Sequence, residues 1–280
     1  MMNRRRAGNS TGGIYIIFLL VCVVVVVLTL VIFDGSGEHE ARQPENQVSG
    51  AVTPPADALP SPTPAPTPTP AATPVPVNGA PDLKAMQAAD DDFFTDSVFI
   101  GNSLIDGLYL YGGVSTCDYL SGTGMSINNV RTQKISDKRG GQCTVMEALK
   151  AKQYLRIYIL LGINEIGSDA AAFAKDYASL ADDIRALQPS ADIYVMSLTP
   201  VSAYKSSHSP YFTKTRVLEF NSELHQICAD KGLWYLDDFT PLADKDGFLP
   251  SDVTEDGVHF KPSYYSTWMD VIRTHYVERT

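Results

Sequence analysis

The chain has 280 residues, 44% hydrophobic and 19% charged, with 22 basic against 32 acidic side chains and a formal charge of −10. From Asp82 to Thr280 the balance is 27 acidic to 18 basic, a formal −9, which argues against a nucleic-acid partner because that role requires a basic face. The four cysteines (Cys22, Cys117, Cys143 and Cys228) form no CxxC pattern and no HExxH occurs, so a zinc site has no sequence support and no cofactor is expected.

Residues 1–13 form a basic tail with Arg4, Arg5 and Arg6. Ile14 to Phe33 (IYIIFLLVCVVVVVLTLVIF) is twenty residues without a charge, long enough to cross a bilayer core of roughly 30 Å as a helix. No Ala-x-Ala cleavage pattern follows, and the run exceeds the ~7–15 residues of a secretory h-region, so it reads as an uncleaved anchor. The arginines precede it and Asp34, Glu38 and Glu40 follow. The positive-inside rule then predicts a single-pass protein of the cell membrane, with a cytoplasmic N-terminus and everything after Phe33 outside the cytoplasm.

Residues 34–80 read as a linker. Within it, Thr53 to Val77 carries ten prolines and no aromatic residue, too little apolar surface to offset chain entropy, and is expected to be a semi-extended, polyproline-like spacer. At roughly 3.1 Å per residue it would hold the following domain tens of Å from the membrane.

Residues 81–280 show an α/β pattern. Apolar runs of strand length occur at SVFIG (Ser97 to Gly101), RIYILLG (Arg156 to Gly162), DIYVMSL (Asp192 to Leu198) and LWYLD (Leu233 to Asp237), alternating with helical patterns. Phe173, Tyr177, Leu180, Ile184 and Leu187 share one helix face that Pro189 terminates. Val217, Phe220, Leu224 and Ile227 share another, stopped by Gly232. Near-continuously apolar strands alternating with helices imply one domain built on a parallel sheet covered on both faces. Cys228, in the second helical pattern, reads as a small buried hydrophobe. Cys117 and Cys143 are a possible disulfide pair whose spacing decides nothing.

Ligands bind beyond the carboxyl ends of strands in such a sheet. Those positions hold Gly101-Asn102-Ser103 and Gly162-Ile163-Asn164-Glu165. A helix from Ile105 onward would aim its N-terminal N–H groups toward Ser103, which favours a developing oxyanion. A serine needs a base, and of the five histidines only His259 has a local carboxylate, in Asp256-Gly257-Val258-His259. That spacing allows Asp256 to hold Nδ1 while Nε2 faces the serine; the plain alternative is an Asx turn with His259 as a cap. An α/β-hydrolase elbow is excluded, since Gly-x-Ser-x-Gly would need glycine where Ile105 stands.

Gly101-Asn102-Ser103, Gly124 within SGTGMS, Gly162-Ile163-Asn164-Glu165 and Asp256-Gly257-Val258-His259 together resemble, in order, the four blocks of the SGNH (GDSL-type) hydrolases, from about Val98 to the C-terminus. The resemblance implies a three-layer α/β/α, flavodoxin-like fold and serine ester hydrolysis or acyl transfer. It implies Ser103 as nucleophile, His259 as base and Asp256 as its orienter. The implied oxyanion hole is the Ser103 and Gly124 N–H groups with the Asn164 amide. Gly122 competes with Gly124, which is favoured because Met125-Ser126 reads as a helix start. The family's first block usually has Asp where Asn102 stands, and its third has Asp where Glu165 stands; a modest effect is expected from each.

The expected activity is hydrolysis of an O-acyl, chiefly acetyl, ester of a cell-envelope carbohydrate outside the cytoplasm. The alternatives are O-acyl transfer with the same triad and a non-catalytic binding module. Ser202 to Phe212 (SAYKSSHSPYF) either shapes the substrate cleft with Tyr204, Tyr211 and Phe212 or is a surface loop.

Overall fold

The SVFIG run is the strand about which the sheet is organised. In the computed structural model, which describes residues 82–136, 138 and 140–279, the strands are β1 (Ser97–Gly101), β2 (Asp118–Ser121), β3 (Ile135–Ser136), β4 (Gln142–Cys143), β5 (Arg156–Leu160), β6 (Asp192–Met196) and β7 (Trp234–Leu236). The basic tail, the Ile14 to Phe33 span, the Thr53 to Val77 tract and Cys22 lie outside the described residues. Among the described residues no helix is long and apolar enough to cross a membrane.

Five strands form one parallel sheet in the order β2-β1-β5-β6-β7, and β3 pairs antiparallel with β4 apart from it. The order reverses at β1: the next strand, β2, pairs on one side, while β5 and its successors extend the other. The crevice beyond the carboxyl ends of β1 and β5 is therefore the topological switch point, where open α/β sheets bind ligands. All five residues of β1 and of β5 are buried, as covering on both faces requires.

The helices are α1 (Ser103–Tyr111), α2 (Val145–Ala151), α3 (Ala170–Leu187), α4 (Ala203–His208), α5 (Lys214–Lys231), α6 (Phe239–Leu242) and α7 (Tyr264–Thr274). Most start on a side chain that accepts an otherwise orphaned N–H: Asn102 for α1, Thr144 in a capping box with Glu147 for α2, Asp169 for α3, Ser202 for α4 and Thr213 for α5. The expected apolar faces of α3 and α5 are buried, except that Leu187 at the end of α3 is half-buried, and these two helices pack together, as do α1 and α7. Gly232 ends α5 in the left-handed region.

An aromatic ladder crosses the sheet at one level. Tyr119, Phe99, Tyr158 and Tyr194 are register partners on β2, β1, β5 and β6, with centroids 5.4, 4.5 and 4.6 Å apart and near-parallel planes. Its large buried area and stacking stiffen the four strands whose ends carry the site.

Two readings change and one is decided. Met125-Ser126 starts no helix: the segment is a run of turns in which the Asn129 side chain accepts from the Ser126 N–H and donates to the Gly124 carbonyl. Part of the Ser202 to Phe212 segment is helical, as α4. Cys117 and Cys143 are not joined by a disulfide; Cys228 is fully buried.

The Tyr158 hydroxyl is buried with no partner among the described residues. Tyr158→Phe should therefore leave stability unchanged or raise it, whereas Tyr158→Ala should cost about 3–5 kcal/mol by emptying the ladder. Urea denaturation of both variants checks this.

Candidate active site

The chain leaves β1 in a space too tight for a side chain. A Cβ on Gly101 would lie 2.6 Å from the Leu160 carbonyl oxygen of β5 and 2.6 Å from Ile105 Cγ1, so glycine lets α1 fold back over the strand end. Asn102 is fully buried and its Oδ1 accepts from the Leu104 N–H at 3.0 Å; its Nδ2 has no partner among the described residues. Ser103 is thereby fixed as the first residue of α1. Its N–H belongs to the unsatisfied first turn and makes no hydrogen bond among the described residues.

The histidine arrives from the loop before α7. Asp256 divides its carboxylate between two tasks. Oδ1 accepts from the N–H groups of Val258 (2.9 Å) and His259 (2.8 Å), closing an Asx turn. Oδ2 contacts His259 Nδ1 at 2.7 Å. The Asx turn weighed against a dyad is thus the device that builds it. Thr254 braces the turn, its hydroxyl accepting from the Gly257 N–H (2.9 Å) and donating to the His259 carbonyl (2.7 Å). Burial alone would raise the Asp256 carboxyl, but hydrogen bonds from the His259 ring and the Val258 and His259 N–H groups outweigh it and bring it down to about 2. An ionised carboxylate can only accept, so Nδ1 carries the proton and Nε2 presents a lone pair. That atom lies 2.8 Å from Ser103 Oγ.

Asn164 sits in the 3-10 turn Ile163–Glu165 that follows β5. Its Nδ2 donates to the Met125 carbonyl at 2.7 Å, which commits one N–H of the amide and leaves the second uncommitted. Ser103, Asn164, Asp256 and His259 line one cavity of about 230 Å³, with Lys205 and Phe212 on its wall. Gly124 is not on that wall; it precedes Met125, the residue that holds Asn164. The Gly122 N–H is committed to the Gly101 carbonyl (3.1 Å), whereas the Gly124 N–H makes no hydrogen bond among the described residues.

Sequence reasoning misses two contributors, Thr254 and Lys205, and places Glu165 in the third block without giving it a structural role. Thr254 is a plain loop threonine in sequence. Lys205 stands in a polar segment without periodicity. Glu165 is buried, and its Oε1 accepts from the Ile127 N–H, tying the Gly124 to Val130 loop to the Asn164 turn. The other histidines among the described residues are engaged elsewhere: His225 with Asp82, His208 with the Tyr204 carbonyl and His275 with the Val271 carbonyl. Of the aromatic residues in Ser202 to Phe212, Phe212 lines the cavity while Tyr204 and Tyr211 are exposed. Among the described residues no group of three or more His, Cys, Asp or Glu converges to hold a metal.

Burial raises the Glu165 carboxyl above its ordinary value, and the N–H groups it accepts only partly offset this. A folded-state value above the unfolded one means that Glu165 favours folding at low pH and loses that contribution as pH rises through the folded value. The stability difference between Glu165→Gln and the wild type, from urea midpoints between about pH 4 and pH 8, should move in favour of Gln as pH rises.

The sequence profile of the GDSL-like lipase/acylhydrolase family matches residues 99–266. A comparison with curated proteins finds no match. Among solved structures, the chain is similar to a proposed platelet activating factor from Streptococcus pneumonia, with 18% identity, TM-score 0.51, and coverage of 63% of this chain and 81% of that one. It is also similar to a proposed acylhydrolase from Bacteroides fragilis NCTC 9343, with 14% identity, TM-score 0.49, and coverage of 63% and 83%. A GDSL-like lipase from Bacteroides thetaiotaomicron VPI-5482 matches with 14% identity, TM-score 0.48, and coverage of 65% and 87%. At these identities the first likeness speaks to the fold alone.

Proposed function

Because this chain belongs to the GDSL-like lipase/acylhydrolase family and is an ester hydrolase, we propose that Ser103, His259 and Asp256 are its catalytic triad. The hydrogen-bonded relay from Ser103 Oγ through His259 to Asp256, with contacts of 2.8 and 2.7 Å at the sheet's switch point, carries this reading. His259 Nε2 takes the Ser103 proton as Oγ attacks the ester carbonyl. Asp256 stabilises the imidazolium and keeps Nδ1 as donor. The tetrahedral oxyanion is met by the Ser103 N–H and the Asn164 amide, both on the cavity wall, and the family resemblance adds the Gly124 N–H, which lies off that wall. His259 then protonates the leaving alcohol, and water, activated by the same imidazole, hydrolyses the acyl-enzyme.

A cavity of about 230 Å³ is below the usual range for drug-sized ligands, which supports a short acyl group such as acetyl. We place the domain outside the cytoplasm, on the Ile14 to Phe33 anchor and the Pro-rich spacer, where O-acylated envelope carbohydrate is the accessible ester. The charge asymmetry around that span supports this topology.

Ser103→Ala should abolish release of acetate from isolated envelope fractions, measured by mass spectrometry, and equal release by both proteins would remove the assignment. Asn164→Ala should lower kcat by about 10²–10³. Asp256→Asn preserves the Oδ1 acceptor of the Asx turn but sets a donor against Nδ1, so kcat should fall by about 10⁴ while the circular dichroism spectrum is retained. Because Asp256 keeps its charge down to about 2, the acid limb of kcat/KM should follow a single proton; a second-order limb would show that the carboxylate titrates with the imidazole.

A further inference from the structure

Lys205 is the charged side chain on the cavity wall that the reaction above does not use. It is half-buried, and its ammonium makes no ion pair or hydrogen bond among the described residues. It lies over the face of Phe212, 4.9 Å from the ring centroid. The nearby carboxylates are engaged: Asp256 accepts from three donors, and Glu255 pairs with Lys261 at 3.0 Å. A half-buried ammonium without a counter-ion carries a desolvation cost, in a domain with nine more acidic than basic residues.

The position of Lys205 is built into the catalytic turn. Gly257 has φ +83°, and a Cβ there would lie 2.6 Å from Lys205 Cβ and 2.5 Å from Ser202 Oγ. The start of α4 is bound to the same turn by the Ser202 N–H donating to the Gly257 carbonyl at 2.9 Å. The glycine inside Asp-Gly-Val-His therefore seats Lys205 in register with Asp256 and His259.

Lys205 and Asp256 also border a second, larger cavity of about 590 Å³, where Tyr204 and His208 stack at 4.1 Å. The cavity holding Ser103 suits the acyl group, and the larger one adjoining it suits the alcohol. One ammonium, a compact point charge, matches one negative charge, and the acidic domain disfavours a dianion.

We propose that Lys205 is a specificity-determining residue that binds a carboxylate on the alcohol portion of the ester, so that the substrate is an O-acylated alcohol bearing a single negative charge. This rests on the ester-hydrolase site proposed above and names the class of its substrate.

The test uses the full-length chain and two acetyl esters, para-acetoxybenzoate and its neutral methyl ester, with acetate release as the readout. The ratio of kcat/KM for the anionic ester to that for the neutral one should fall about tenfold or more in Lys205→Met, chiefly through KM, as expected for loss of a charge-assisted contact. Lys205→Arg should keep most of the ratio, and added salt should lower it in the wild type but not in Lys205→Met. An unchanged ratio in Lys205→Met overturns the proposal. So does a Lys205 dependence seen only between para-nitrophenyl hemisuccinate and para-nitrophenyl acetate, which puts the anion on the acyl side. Neutral-ester cleavage that survives Ser103→Ala removes the underlying site assignment instead, so the two failures are distinguishable.

Discussion

The close approach of β1 to β5 at Gly101 is the constraint on which the site depends. With the Leu160 carbonyl and Ile105 both inside the space of a Cβ, α1 must begin immediately after the strand and Ser103 must be its first residue. Pairing Gly101 with Leu160 in register also brings the turn after β5 alongside, so Ser103 and Asn164 emerge as neighbours from the point where strand order reverses. The aromatic ladder below these ends makes their spacing a property of the packed core rather than of two mobile loops.

The opposite wall is organised by economy of acceptors. Asp256 closes its own turn with one oxygen and orients the imidazole with the other, and Thr254 joins the two ends of that turn through one hydroxyl. Glu165 does the equivalent work for the remaining wall, reaching from the Asn164 turn to the Ile127 N–H. The Asp256 and Thr254 bonds close one turn on itself, and the Glu165 bond joins two segments far apart in sequence.

Much of this is legible in sequence, for physical reasons that also mark where legibility stops. β1, β5, β6 and β7 are visible because strands buried on both faces must be apolar runs. β2 is not, because DYLS is four residues at a sheet edge with polar ends. α3 and α5 announce themselves by periodicity over eighteen residues each, while α4, with six residues and no buried side chain, carries no such signal. The Ser103, Asn164, Asp256 and His259 positions are readable because each lies in a short block with its own local geometry. Glu165 lies in the third block, but its partner, the Ile127 N–H, and the catalytic turn against which Lys205 packs are brought near only by the fold, while Thr254 braces its own turn with no pattern to mark it. The helix expected at Met125-Ser126 is instead a run of turns in which the Asn129 side chain bonds the Ser126 N–H and the Gly124 carbonyl.

Ser103 Oγ is held at hydrogen-bond distance from His259 Nε2, and His259 Nδ1 is held in turn by the Asp256 carboxylate, which keeps its charge down to about 2. A serine so placed reacts with an electrophilic phosphorus centre far faster than any other hydroxyl of the chain. Treatment with a fluorophosphonate probe followed by peptide mass spectrometry tests this most directly. A single stoichiometric adduct on Ser103, lost in His259→Ala, is expected; an adduct on another residue, or none in the folded protein, would contradict the triad.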